Sequence, residues 1–205
     1  MRLSPHTSQR IAFACLFAAN LLVIVPVGLI VVLIARKGLP AINWTFLTDL
    51  PRDGMRAGGI FPAIVGTVYL VLGAIAVALP VGLLSAIYLT EYSRESLLTR
   101  LVRLAIVNLA GVPSVVYGLF GLAFFVTFFH FGASILAGSL TLSIMILPVI
   151  ITASREALEA VPASFREVSL SLGASRWQTV WHTVLPNAVP GILTGTILGL
   201  GRAAG

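Results

Sequence analysis

Charge is what this sequence has least of. Asp, Glu, Lys and Arg supply 10% of its 205 residues, where a soluble domain carries about 25%. Hydrophobic residues make up 58% and the mean hydropathy is +1.03, so an ordinary water-soluble globule is excluded. The uncharged runs are far too long for the alternating strands of a membrane barrel, which leaves an all-α, polytopic membrane protein. Cysteine is reduced to Cys15, inside an apolar run. One thiol forms neither an internal disulfide nor a metal cluster. Lysine is reduced to Lys37, and no G-x-x-x-x-G-K-[ST] loop surrounds it, so the chain does not bind ATP by that route. His6, His130 and His182 are far apart. No metal set or nucleophile–base pair assembles from them, and no catalytic residue, metal or cofactor is expected. The +6 net charge is then no nucleic-acid signal; it reflects arginines on cytoplasmic loops.

The uncharged runs define the spans. Ile11 to Ala35 is 25 residues without a charge, long enough for a crossing and too long for the apolar core of a signal peptide. Gly38 to Arg56 reads as a polar loop. Ala57 to Thr90 is uncharged over 34 residues, with its span expected near Ile64 to Leu89 and its first turns at the interface. Glu91 to Arg103 reads as a charged loop. Leu104 to Ser154 carries no formal charge for 51 residues. That would be about 77 Å as one helix, so it must be two crossings, turning near His130 to Ser134. Asn187 to about Gly205 is a fifth span. With the N-terminus inside, Arg2, Arg10, Arg94, Arg100, Arg103, Arg155, Arg166 and Arg176 lie on the cytoplasmic side. Arg36, Lys37, Arg52 and Arg56 lie outside, and eight against four favours that orientation.

Between the fourth and fifth spans lies the most strongly patterned polar stretch, Glu167 to Pro186. Ser164 stands three residues before Glu167, the spacing of a capping box. Phe165, Val168 and Leu172 share one face of a short helix. Gly173 follows at a left-handed stop. Ser175 can cap a second helix, on which Trp177, Val180, Trp181 and Val184 recur at helical spacing, and Pro186 closes it. Two short helices thus meet at a glycine elbow. The pattern fits a loop packed on its own bundle, or a knob docked by its apolar face in a partner's groove.

Other residues stand out against the apolar background. Arg202 is the one ionisable residue in the fifth span, about 24 Å along it from Pro186. Such a charge faces a cavity or pathway, or snorkels to the outer interface; its guanidinium offers two parallel hydrogen bonds to an oxyanion. Pro113, between Gly111 and Gly118, invites a kink or a broken helix, or is a packing kink. Ser114 and Tyr117 beside it could offer hydroxyls to a passing anion. Gly191, Gly195 and Gly199 leave one helix face bare for close approach, within the bundle or at a seam with a second membrane subunit. Arg155 and Glu159, at i and i+4, read as a helix-face pair.

These stretches resemble a known family. Glu167, Gly173, Leu185 and Pro186 stand at the spacing of the EAA loop of ABC-importer permeases. Val168 and Ser169 replace its two alanines, and Thr183 replaces its isoleucine. Gly201 to Gly205, GRAAG, resembles the start of the Gly-Arg-Ala-x-Gly-Glu motif of phosphate-importer permeases. GGIFPAIVGT at Gly58 to Thr67, NLAGVPSVVYGLFG at Asn108 to Gly121 and LPVIITASREALEAVP at Leu147 to Pro162 resemble the same subgroup, and the alanine pair in GRAAG leans toward its PstA-type subunit. The resemblance implies a type I ABC-importer permease fold of six spans, of which five are present. Residues 1–56 would form an N-terminal transmembrane helix and periplasmic loop, and 57–205 a permease domain incomplete at its C-terminus, with the EAA-like cytoplasmic loop at 155–186. It implies that Glu167, Gly173, Ala174, Leu185 and Pro186 couple the chain to a separate ATPase subunit dimer. Arg202, with Ser114 and Tyr117, would serve a phosphate path. The implied partners are a second permease subunit, a periplasmic phosphate-binding protein, phosphate and the inner membrane, with no nucleic acid. The alternatives are another oxyanion or an amino acid as substrate, a PstC-type subunit, an intramembrane enzyme, or a scaffold without a substrate path.

Overall fold

A computed structural model describes residues 5–205, with the side chains of residues 5–8 and 11 excepted. Arg2, counted above toward the inner face, lies outside the described residues. Two compact units divide at Ala63.

The first unit begins with α1 (Pro5–Gly38), which runs unbroken through Pro26. Its described side chains are exposed along nearly its whole length. The expected polar loop is an ordered excursion. Asn43 starts α2 (Trp44–Thr48) by accepting the Phe46 N–H at 2.7 Å, since an N-cap oxygen satisfies an otherwise orphaned donor. A two-residue antiparallel hairpin follows, β1 (Pro51–Arg52) with β2 (Ala57–Gly58). A Cβ on Gly59 would fall 2.6 Å from the carbonyl oxygens of both Phe46 and Asp49. The glycine therefore lets the hairpin close on α2.

The second unit, Ile64–Gly205, holds the helical body. α3 (Phe61–Ile87) leads into a π turn over Tyr88–Tyr92. Pro62 sits in the first turn of α3, where its missing N–H costs nothing. The charged stretch from Glu91 to Arg103 is only half loop, because α4 already starts at Leu97 and runs to Ala110. Ser96 caps it, accepting the Thr99 N–H at 3.2 Å. Leu97, Leu101 and Leu104 then recur at helical spacing through the arginines. At Gly111–Val112–Pro113 the chain bends by 100° into α5 (Ser114–Gly121), which continues as a π turn over Leu122–Phe128. Pro113 therefore breaks the helix rather than kinking it. After the turn, α6 (Ile135–Glu159) is capped by Ser134. Two short helices, α7 (Ala163–Ser171) and α8 (Arg176–Thr179), precede a π turn over Val180–Val184 and α9 (Leu185–Ala204). Among the described residues, four helical stretches are long and apolar enough to cross a membrane, and the bent α4–α5 pair makes a fifth if it counts as one span.

α6 and α9 form the main seam of this unit. A Cβ on Gly191 would stand 2.6 Å from Ala157 Cβ, one on Gly195 would overlap Ala153, and one on Gly199 would stand 3.3 Å from Ile150 Cγ1. The bare glycine face is thus used inside the bundle. Polar glue joins α6 to α3, where Ser139 and Ser143 donate to the Leu70 and Ala74 carbonyls at 3.2 and 3.1 Å. With no water to satisfy a hydroxyl between helices, such bonds hold the pair in register. The expected Arg155–Glu159 pair is present at 3.3 Å. Ser143→Ala should lower the melting temperature in detergent by only a few degrees. Bonds of this kind are worth about 0.6 kcal/mol in membrane interiors.

Candidate functional site

The elbow forms for reasons written locally, though not quite where expected. Pro162, with φ −56° and ψ 139°, is itself the N-cap of α7. Ser164 therefore lies inside the first turn and caps nothing; the rigid proline already sets the entry angle. Gly173 has φ +85°, a left-handed value that L side chains rarely adopt. Its N–H donates to the Leu170 carbonyl at 3.0 Å, and the Ala174 N–H donates to the Ser169 carbonyl at 3.2 Å. These are the two bonds of a Schellman stop. Ser175 then caps α8 with a full capping box, exchanging bonds with Gln178. Pro186 does not close this helix. It falls in the first turn of α9, just after the π turn, and the helix runs on from Arg176 to Ala204.

The apolar stripes divide between inside and outside. Val180 and Val184 are buried, packed with Ala86, Leu158 and Ala188, with partly buried Leu185 against them. Phe165, Val168 and Leu172 on α7 face outward, Leu172 at 83% exposure. Trp177 and Trp181 also face outward and stack at 5.5 Å with 13° between their planes. A groove of about 380 Å³ opens between α7 and the π turn, lined by Phe165, Val168, Leu172 and Thr183. Glu167 and Pro186 are exposed beside it, and Ala174 is half-buried.

One contact at the base of the elbow was invisible in the sequence. Arg166 reaches Glu91 through both Nε, at 3.1 Å, and Nη2, at 2.7 Å. The pair is 75 positions apart, so no local spacing could reveal it. The same guanidinium donates to the Val161 and Leu158 carbonyls, each at 2.8 Å.

Arg202 sits at the other functional locus, half-buried. Its guanidinium is engaged by the backbone of another segment. Its Nη1 donates to the Ala110 carbonyl at 3.2 Å, and its Nη2 to the Val112 carbonyl at 3.5 Å. Tyr117 is buried, and its hydroxyl donates to the Leu109 carbonyl at 2.8 Å. A helix broken inside a membrane leaves carbonyls that no water can satisfy. Arg202 and Tyr117 satisfy three of them at the end of α4. Ser114 is exposed in the first turn of α5, which begins without a side-chain cap.

The family model described as "Binding-protein-dependent transport system inner membrane component" matches residues 78–205, from within α3 through the elbow to Arg202. The chain belongs to this family. It is 33% identical over 169 residues to the probable ABC transporter permease protein YqgI of Bacillus subtilis, covering 82% of this chain and 58% of YqgI. It therefore spans little more than half of that relative. It is 32% identical over 209 residues to the phosphate transport system permease protein PstA 1 of Mycobacterium tuberculosis, covering all of this chain and 68% of the relative. Among solved structures, a chain of the MetNI methionine ABC transporter in inward-facing conformations matches with a TM-score of 0.57 at 21% identity, over 71% of this chain and 68% of that one. At that identity the likeness concerns the fold alone. This family member is a multi-pass membrane protein with the type I importer-permease fold.

Proposed function

We propose that this chain is a transmembrane permease subunit, of the PstA type, in an ATP-driven importer of inorganic phosphate. The observation that carries this reading is the Schellman elbow with its outward apolar groove and stacked indoles, a shape suited to capture by a cleft on a separate ATPase dimer. A second permease subunit completes the path, a periplasmic binding protein delivers the anion, and the N-terminus is cytoplasmic. The similarity to PstA proteins of several bacteria supports phosphate as the cargo. Chemistry supports it too. Arg202 brings a guanidinium to a helix break, and the N-terminus of α5 with Ser114 brings unbonded donors and a positive dipole end to that break. Tyr117 borders the break as a positioning group. Binding-protein-dependent uptake of labelled phosphate, set against sulfate and amino-acid competitors, tests the substrate. Uptake that sulfate abolishes and phosphate does not would overturn it.

Gly173→Val should weaken ATPase retention about tenfold. Nothing lies within 4 Å of a Cβ at that position, so the penalty is purely conformational, roughly 1–2 kcal/mol for a left-handed residue. Gly173→Asn should be milder, since asparagine visits that region. Retention assays on both variants check this, and equal retention would mean the elbow does not set the docking shape.

A further inference from the structure

The geometry points to the Arg166–Glu91 pair as a strut that makes α7 and α3 move as one body. The inference rests on the reading of 163–186 as the ATPase-docking loop. Four donor contacts from one guanidinium tie three elements at one point. Two go to the carboxylate of Glu91, Nε to Oε2 at 3.2 Å and Nη2 to Oε1 at 2.7 Å, in the π turn that ends α3. Two go to the Leu158 and Val161 carbonyls, where α6 ends. Arg166 itself stands on α7. The fork–fork geometry matters, because a bidentate guanidinium–carboxylate pair fixes orientation as well as distance. Both side chains are largely shielded, at 22% and 12% exposure, so water screens the pair far less than a surface bridge.

The rest of α7 explains why such a strut is needed. Its apolar residues Phe165, Val168 and Leu172 face outward, so they do not fasten it to the bundle. A partner gripping that face pulls on α7. The pull reaches the membrane through the elbow's second helix and through Arg166. Both routes reach α3, the first through Val180 and Val184 packed on Ala86, but only the second ties α7 itself to the end of α3 by a directional, charged pair. Farther along α3, the small buried residues Ala74 and Ala78 pack on Ile146 and Ile150 of α6. Glu91 and Arg166 are thus positioning residues, touching no substrate and no nucleotide. Their loss should unlink ATP hydrolysis from movement of α3 without loosening the grip on α7.

The test uses the assembled transporter in liposomes with its ATPase, partner permease and binding protein. Glu91→Gln keeps an acceptor for one arm of Arg166 and leaves both carbonyl bonds in place, so the fold survives. ATPase retention is expected at the parent level, with labelled phosphate imported per ATP hydrolysed falling at least fivefold. Glu91→Gln combined with Arg166→Gln should be little worse than either alone, because the two act as a unit. A purely structural role would lower the melting temperature and leave the ratio intact; that result overturns the strut. A second readout does not depend on substrate. Spin labels at Leu84→Cys on α3 and Ser171→Cys on α7, in a Cys15→Ser background, should keep one distance through nucleotide turnover in the parent and change distance in Glu91→Gln. A distance that stays fixed in the variant also overturns the strut. Cross-linking of the ATPase to Ser171→Cys, with Glu91 and Arg166 unchanged, checks the docking reading separately. Its absence fells that reading, and the strut with it.

Discussion

Arg202→Ala should abolish uptake. The guanidinium lies at the break between α4 and α5, where it holds the Ala110 and Val112 carbonyls. Removing it takes away the cation proposed to meet the anion, and it strands two carbonyls in an apolar surrounding. A hydrogen bond to a charged group is worth about 1.5–3 kcal/mol, so losing the anion contact alone lowers transport roughly 10- to 100-fold. The stranded carbonyls add to the deficit through the pose of α5. Arg202→Lys separates the two effects. A lysine restores charge but no planar fork to span both carbonyls, so it should recover a small part of the uptake and little of the stability. Initial rates of labelled phosphate entry, with the melting temperature of each variant, decide the matter. Parent-level uptake by the alanine variant would remove Arg202 from the path.

Gly195→Ile should be the most damaging single change to the fold. Any Cβ there overlaps Ala153 of α6, and isoleucine adds a branched chain beyond it. Isoleucine gains about 0.5 kcal/mol of helix propensity over glycine. Overpacking a tight seam costs about 1–3 kcal/mol, so steric crowding wins. Both segments must then separate, and the buried cluster around Leu158 and Ile192 opens with them. Loss of a monodisperse peak in detergent is the expected result. Gly195→Ala with Ala153→Gly should restore most of it, by returning volume to the other side of the seam. A stable Gly195→Ile protein would show that α6 and α9 pack differently.

Much of this architecture is written in short-range pattern. The spans follow from uncharged length, the break from Pro113, the α7 stop from Gly173, and the start of α8 from Ser175. Each depends on residues within a turn or two of one another. Reading failed where a stronger neighbour or a distant partner decides. Pro162 overrode the capping pattern at Ser164. Pro186 looked like a stop but rides on a π turn, which no periodicity announces. Half of a charged loop became α4 because its leucines recur at helical spacing through the arginines. Arg166 was legible only as one more arginine in the charge count, because its partner Glu91 lies 75 positions away. Arg202 was legible as a buried cation, but not as a clasp on the carbonyls of another segment.

The stacked indoles of Trp177 and Trp181 give the elbow a built-in optical label. Two chromophores lying face to face share their electronic transitions, and this pair is expected to give a couplet in circular dichroism. Among the three tryptophans of the chain, Trp44 belongs to another region, so the couplet reports the elbow alone. If the docking proposed above takes place, it can therefore be followed in real time, without attaching a dye to the surface of the elbow.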